Sequence, residues 1–361
     1  MMKNSGDEVN KEKMAEPGHT IPSQLGNFSV LPRDMLLEIS SFLSNKSKAQ
    51  WSQTSHGFYQ FFKNDLEKEA VTELNTHVLL GNEKKALAMI ASCPERLCAR
   101  GTAVDYSGRT FKNVTPFQAA LLSHDVTLWK KMEPYFDALP DGQAEKANQF
   151  KELFPEGLPK QESYDFSTLI QIITKSSNAE TRASLDKPLD ITTPLGLGID
   201  AFRKKFTKLA MEETFFNPMH LIKAFKVYDQ QYSQWNDNQC RLFLCQVIGY
   251  VQRFLPACYA QAVCQGLYLV AGENQPLRRS LIYNNSLLFY PLSYESGLGF
   301  DLGLSIECPG NPHISVGWLN STMLEELCRA NTSELLRLEH RVGQSNTDSN
   351  AWAPWSWCTI C

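Results

Sequence analysis

The chain has 361 residues, of which 43% are hydrophobic and 20% charged, and its formal net charge is −4. This composition supplies enough apolar side chains for a sizeable core and excludes a chain that is disordered throughout. The weakly acidic balance gives no overall attraction to nucleic acid, so we predict no nucleic-acid partner. No stretch reaches the roughly 18 uninterrupted apolar residues that a membrane-spanning helix needs. The N-terminus lacks the apolar run of a secretory signal peptide.

The N-terminal part of the sequence predicts a polar leader and then two helical runs. Residues 1–27 contain few apolar positions, so we predict a flexible leader. Apolar residues then recur at helical spacing, and a proline in the first turn favours a helix start because its missing N–H has no helical partner there. A polar break at residues 44–48 precedes a second run that is rich in aromatic residues. The apolar positions of the first run include Leu31, Pro32, Leu36, Ile39, Phe42 and Leu43.

This first pattern, with its polar break and aromatic second half, resembles an F-box over residues 28–69. The F-box family docks onto the Skp adaptor of Skp–cullin–F-box ubiquitin ligases. The resemblance implies that the six apolar positions just named contact that adaptor. A helix that docks in a groove needs apolar anchors at helical spacing, which agrees with this interpretation. The alternative is that the same face packs against this protein's own next domain.

Residues 70–155 predict short helices joined by tight turns, including the turn signature Asp105-Tyr106-Ser107-Gly108. The run Thr115-Pro116-Phe117-Gln118-Ala119-Ala120 resembles the ankyrin signature T-P-L-H-x-A, with Phe and Gln in place of the usual Leu and His. Residues 74–90 resemble an upstream repeat. We therefore predict ankyrin-like helical repeats over 70–155, with a generic small helical domain as the alternative. Either surface suits protein binding better than chemistry.

The rest of the chain predicts a larger, mostly helical C-terminal domain. Residues 156–196 are rich in Pro, Ser, Thr and Asn, and we predict a connection that contains one helix over 166–174. Strong helical periodicity over 197–340 predicts the C-terminal domain. A Gly-, Tyr- and Ser-rich stretch at 280–318 predicts a few short strands within it. The expected fold class of the whole chain is mainly α.

Residues 341–361 predict a polar tail that ends in Cys358-Thr359-Ile360-Cys361. This ending fits either a redox or metal pair of cysteines or a C-a-a-X prenylation box. A redox pair usually lies at a helix start, and no further ligands are nearby, so we favour lipidation of Cys358. One lipid chain binds a membrane only marginally. Trp352, Trp355 and Trp357 would add membrane contact, because indoles favour the bilayer interface.

Catalytic and metal-binding motifs are missing from the sequence. It contains no GxxxxGK[ST], HExxH or GxSxG, so we predict no catalytic residue, no cofactor and no metal site. The alternative is an unrecognised enzyme in the C-terminal domain, with the F-box region controlling its location or turnover. In that case His220 or His313 would pair with Cys258 or Cys264 to activate a thiol.

The combination of an F-box, ankyrin-like repeats and a prenylation box resembles the F-box/ankyrin-repeat effector proteins of intracellular bacteria. The resemblance implies secretion into a host cell and a location in the host cytosol and at a membrane surface. It also implies a substrate adaptor, which recruits an unknown protein substrate to the Skp adaptor and cullin ubiquitin ligase of the host. The membrane contact would be made through a prenyl group.

Overall fold

The computed structural model describes residues 25–188, 190–283, 287–289 and 316–349. These residues form fifteen α-helices, two π-helical turns and two short antiparallel hairpins, which confirms the expected mainly α fold. The chain separates into two compact units, of which the first ends at Ala70 and the second begins at Val71.

The first unit is built from a short 3-10 turn and three helices around a small aromatic core. The 3-10 turn Gly26–Val30 precedes α1 (Arg33–Ser41), α2 (Asn45–Ser52) and α3 (His56–Leu79), of which the residues from Val71 onward belong to the second unit. Ser44 caps α2 by accepting the Ser47 N–H, which satisfies one free donor at the helix start. The buried core residues are Leu25, Leu36, Phe58 and Phe62, against which Leu31, Leu43, Trp51, Phe61 and Leu66 pack half-buried.

The second unit begins with helices that enclose a hairpin. Its elements are α4 (Glu83–Ser92), the 3-10 helix Pro94–Cys98, β1 (Gly101–Val104), β2 (Thr110–Val114), α5 (Pro116–Leu122), α6 (Val126–Phe136) and α7 (Gly142–Leu153). The sequence predicts the turn of this hairpin but not its strands. Asp105 organises the turn, because its Oδ1 accepts the N–H groups of Ser107 and Arg109 at 2.9 and 3.0 Å. Asn113 has φ +55°, which breaks the alternation that would mark β2 as a strand.

The remainder of the second unit is helical up to a second, minimal hairpin. Its elements are α8 (Ser167–Lys175), α9 (Asn178–Asp186), α10 (Pro194–Glu212), α11 (Met219–Gln231), α12 (Asp237–Phe243), a π-helical turn (Leu244–Ile248), α13 (Gly249–Gln252), α14 (Ala257–Gln265), a second π-helical turn (Tyr268–Gly272), β3 (Ile282–Tyr283), β4 (Leu287–Leu288) and α15 (Val316–Ser349). Of the stretch predicted to hold short strands, the structure describes β3, β4 and little else before α15.

The range 156–196, predicted as a connection with one helix, contains both α8 and α9. Phe166, Leu169 and Ile173 are buried in the same core as Ile199 and other α10 residues. Ser177 caps α9 by accepting the Glu180 N–H. This segment is therefore a packed layer of the second unit.

The predicted tail also differs from the structure, because α15 continues beyond residue 341 as far as Ser349. Gly343 costs a helix interior about 1 kcal/mol relative to Ala. Extending an existing helix needs no new nucleation, however, and no proline interrupts residues 341–349. Cys358 and the three tail tryptophans lie outside the described residues.

Two apolar cores lie within the second unit, and they do not follow the order of the chain. One contains Leu74, Val78 and Leu79 of α3 and the buried side chains of α4 to α7, together with Phe215 and with Leu335, Leu338 and Val342 of α15. The other runs from Phe166 to Leu267 and includes the N-terminal half of α15. The last helix thus completes the core that the first helices of the unit begin.

A buried ion cluster joins segments that are distant in the sequence. The Arg279 guanidinium donates to both carboxylate oxygens of Asp125, at 2.7 and 2.8 Å, and to Glu83 at 2.9 Å. Asp125 also accepts the Leu128 N–H at the start of α6. A bidentate arginine–carboxylate contact fixes geometry as well as charge, so Arg279 clamps α4 to α6.

Candidate functional site

The six residues predicted to contact an adaptor fall into two groups in the structure. Leu36 is buried, and Leu31 and Leu43 pack half-buried against the core of the first unit. Ile39 is half-buried, whereas Pro32 is exposed and Phe42 is 82% exposed. Three of the six residues therefore stabilise the unit itself, and the other three lie at its surface.

Helical geometry explains this division. Met35, Ile39 and Phe42 are spaced by four and three residues, so they share one face of α1, and Leu36 begins a neighbouring face that packs inward. Met35 is 49% exposed and Val30 is 82% exposed. Neither residue was among the predicted adaptor contacts, although the spacing of Met35 to Ile39 and Phe42 indicates that Met35 shares their face of α1. We call Val30, Pro32, Met35, Ile39 and Phe42 the docking surface.

While these apolar side chains are exposed, the free protein lacks the stabilisation that their burial would give. Burying a Phe or Met side chain is worth about 1.5–3 kcal/mol, and that energy is not gained while the side chain faces water. Single exposed apolar residues are ordinary, whereas large contiguous apolar patches are typical of interaction sites. Pro32 precedes the helix with φ −55°, so the approach to the surface is rigid.

The ankyrin-like run forms the start of a helix that is buried on every side. Thr115 Oγ1 accepts the Gln118 N–H at 3.2 Å, and Gln118 Oε1 accepts the Thr115 N–H at 3.1 Å, which makes a reciprocal capping box. The Gln118 amide also donates to the Gln149 carbonyl and to Glu152 of α7. All seven residues of α5 are buried. The run therefore has a structural role, and Gln118 links α5 to α7.

His220, a candidate partner for a catalytic thiol, has both ring nitrogens engaged. Its Nδ1 accepts the Tyr164 N–H at 2.9 Å, so Nε2 must carry the proton of the neutral ring. Nε2 lies 3.0 Å from both carboxylate oxygens of Glu213, to which it donates. No ring nitrogen remains to take a proton from a thiol, so this geometry holds α11 in place and does not activate a nucleophile.

The two candidate nucleophiles are equally unsuited to that role. The Cys258 thiol donates to the Ser123 carbonyl at 3.4 Å, and burial raises its pKa well above the usual value. Burial also raises the pKa of Cys264, to about 12. A thiol with a raised pKa stays protonated at neutral pH and is a poor nucleophile. His313 lies outside the described residues.

A second polar cluster, which the sequence did not indicate, surrounds His124. Its Nδ1 lies 3.2 Å from the Tyr259 hydroxyl, and that hydroxyl also accepts the Asn331 amide at 3.1 Å. The imidazole packs edge-to-face on Phe215, with 4.7 Å between ring centroids. Burial lowers the pKa of His124 to about 4, so the ring is neutral at physiological pH. The cluster joins the turn between α5 and α6 to α14 and α15 and has a structural role.

The described residues contain neither a metal-binding cluster nor a membrane-spanning helix, and the chain has no matching relative. Within the part of the chain that the structure describes, no group of three or more His, Cys, Asp or Glu residues is arranged to hold a metal ion. Across the same residues, no helix combines the length and apolar character required to cross a bilayer. No protein-family model, curated protein or solved structure matches the chain.

Proposed function

We propose that the first unit is an F-box module and that the chain is a substrate adaptor, which recruits target proteins to a Skp–cullin–F-box ubiquitin ligase of a host cell. In this proposal the protein resembles the secreted effectors of intracellular bacteria and carries out no chemistry itself. The single observation that supports it best is the 82% exposure of Phe42, on a helix whose neighbouring face is anchored by buried Leu36.

The docking surface has the form that helix-in-groove recognition uses. Such recognition places apolar anchors at i, i+3, i+4 and i+7, and Met35, Ile39 and Phe42 follow that spacing. Removing one anchor of this size costs about 1.5–3 kcal/mol, which corresponds to a roughly 10- to 100-fold weaker complex. Leu36 is a poor test residue, because its replacement would disturb the core of the unit.

The test is binding of the full chain to a purified Skp protein, measured by calorimetry. We expect a stoichiometric complex that Phe42→Ala weakens at least tenfold. Tyr59→Ala is the matched control, because Tyr59 is an aromatic residue of the same unit that is 44% exposed on α3, outside the docking surface. A folded wild-type chain that forms no complex, or equal weakening by both substitutions, would overturn the proposal.

The second unit supplies the substrate-binding surface in this proposal, with 70–155 as ankyrin-like repeats. The capping box at Thr115 and the helix pair that follows it support that interpretation. Val104 and Tyr106, which are 45% and 38% exposed on the hairpin, offer apolar contacts to a protein. We further propose that lipidation of Cys358 and the three tail tryptophans hold the adaptor at a host membrane. Cell fractionation of Cys358→Ser, which we expect to be cytosolic, tests that part separately.

A further inference from the structure

A groove of about 660 Å³ opens along β2 in the second unit. Its other walls are the segment 153–160 after α7 and residues 211–215 at the end of α10. Three of its lining residues are buried aromatic residues that form an apolar base: Phe111, Phe154 and Phe215. Clefts of this size enclose ligands as large as a drug molecule, and aromatic linings are typical of them.

The groove follows the edge of β2 and not one of its faces. Side chains alternate between the two faces of a strand, so a groove on one face would be lined by every second residue. Here the consecutive residues 109–112 all line the groove, whereas no residue of β1 does. The groove therefore lies along the edge of β2 that faces away from β1.

Backbone groups on this edge have no partner in the hairpin. The Asp105 N–H donates to the Arg109 carbonyl at 3.1 Å, and hydrogen-bonded pairs recur at every second residue of an antiparallel ladder. Phe111 is therefore the next residue of β2 that is hydrogen-bonded to β1, and the N–H and C=O groups of Thr110 and Lys112 point away from β1. None of these four groups is bonded to another described residue.

An extended peptide is the ligand that complements such an edge. An open strand edge presents donors and acceptors at alternate residues, and an added strand supplies the matching groups. The open part of this edge ends at Asn113, which has φ +55° and whose carbonyl accepts from Arg100 at 3.1 Å. Three residues of a peptide can therefore pair with residues 110–112, while a side chain of the same peptide covers the aromatic base.

Charges along the groove favour a peptide that carries both signs. Six ionisable residues line it, and four of them already have partners: Arg109 with Asp105, Glu152 with Arg100, Lys160 with Glu162, and Glu213 with His220. The other two, Lys112 and Glu156, are exposed and form no ion pair with any described residue. They lie on different walls, so an acidic peptide residue suits the β2 side and a basic residue suits the wall after α7.

We infer that the groove binds an extended peptide segment of a partner protein by strand addition to β2. The peptide residues opposite Thr110 and Lys112 exchange main-chain hydrogen bonds with them. The residue between these two lies opposite Phe111 and places an aromatic side chain on the base, and its acidic neighbour lies on the Lys112 face. This inference goes beyond the adaptor proposal and does not depend on it, because peptide binding at β2 is measured without a Skp protein.

The test is a titration of the ¹⁵N-labelled full chain with a pool of capped hexapeptides, Ac-Xaa-Xaa-Glu-Phe-Xaa-Xaa-NH₂, followed by NMR. We expect saturable shifts of the Thr110 and Lys112 amides. N-methylation of the peptide's glutamate removes an N–H that donates to β2, so it should weaken binding at least about tenfold. N-methylation of its phenylalanine is the matched control, because that N–H points away from β2 and its loss should change the affinity less than about threefold.

Hydrogen exchange tests the edge in the chain itself. Without peptide, the Phe111 amide should exchange slowly because it is bonded to β1, whereas the amides of Thr110 and Lys112 should exchange fast. At about nine times the apparent Kd, the pool should slow these two amides about tenfold, because exchange then requires release of the peptide.

A pair of lysine variants tests the charge argument. Lys112→Glu should weaken binding of the pool at least about threefold, because it places a carboxylate beside the peptide's glutamate. Lys151→Glu is the matched control, because Lys151 is exposed on α7 and does not line the groove.

Three outcomes would overturn the inference. The first is exchange of the Thr110 and Lys112 amides as slow as that of Phe111 in the free chain, which would mean that the edge is already covered. The second is a folded chain that shows no saturable shift up to about 2 mM peptide. The third is equal weakening by the two N-methylations or by the two lysine substitutions.

Discussion

The two motifs that the sequence singles out place their aromatic residues at opposite extremes of exposure. Phe42, at the end of α1, is 82% exposed, whereas Phe117, at the start of α5, is fully buried and packs edge-to-face on Trp129 and Phe136. Both lie on short helices that begin beside a proline. Helical spacing alone does not distinguish them. The difference arises because α5 is enclosed by β2, α6 and α7, whereas α1 covers a core of four buried residues.

The largest expected effect concerns Phe117, the buried residue of this comparison. Phe117→Ala should lower the free energy of unfolding by about 3–5 kcal/mol, because it removes a fully buried ring and leaves a cavity. Urea denaturation followed by circular dichroism measures this change. Val104→Ala, at an exposed position in the same region, is the control and should stay within about 0.5 kcal/mol of the unaltered chain. Equal effects would mean that α5 does not pack as described.

An intermediate effect tests the burial of the His124 imidazole through the pH dependence of the free energy of unfolding. The pKa of His124 is about 4 in the folded chain and about 6.5 in an unfolded one, so the unfolded state binds the proton more tightly. Above pH 6.5 the ring is neutral in both states, and the folded state keeps its full stability. As the pH falls from 6.5 toward 4, protonation favours the unfolded state and this stability is lost. It amounts to about 2 kcal/mol between pH 7.5 and pH 5.

Urea denaturation of His124→Asn at these two pH values isolates that contribution. Asn tolerates the left-handed backbone at this position, where φ is +59°, and it does not titrate. The variant will be less stable overall because it lacks the ring, but its stability should fall by about 2 kcal/mol less between the two pH values. An unchanged pH dependence would contradict the burial of this imidazole.

The smallest expected effect concerns Phe42, the exposed residue of the comparison. Phe42→Ala should change the free energy of unfolding by no more than about 0.5 kcal/mol, because its ring already faces water. Thermal and urea denaturation of this variant provide the measurement. A loss of more than about 1.5 kcal/mol would show that Phe42 belongs to the core, and the docking surface would then have to be redefined.

Local patterns predicted most of the helices, because the apolar spacing and the capping residues of a helix lie within a short stretch of sequence. The spacing of Ile199, Phe202, Phe206 and Leu209 predicts α10, and Thr115-Pro116 predicts the start of α5. Strands β1 and β2 were missed because four- and five-residue strands carry too few alternations to recognise. Helix α9 was missed because its polar sequence resembles a linker, and only Thr181 and Ser184 are buried within it.

Contacts between distant residues could not be predicted. Arg279 meets Glu83 across 196 residues and Asp125 across 154, and no spacing rule connects such positions. His124 and Asn331 are separated by 207 residues. The sequence predicted helix α1 but not which of its apolar residues face water. That division depends on how α1 packs against Phe58 and Phe62, which periodicity does not record.

The closure of one core by α15 affects how the chain can be made and divided. Phe117 and its neighbours lie in a core that also requires Leu335, Leu338 and Val342. During synthesis, which proceeds from the N-terminus, that core stays incomplete until nearly the whole chain has emerged. A fragment that ends near residue 155 would expose apolar side chains that α15 otherwise covers, and it would aggregate. Residues 70–155 should therefore be produced together with α15, because binding measured with that fragment alone would report nonspecific association of misfolded protein.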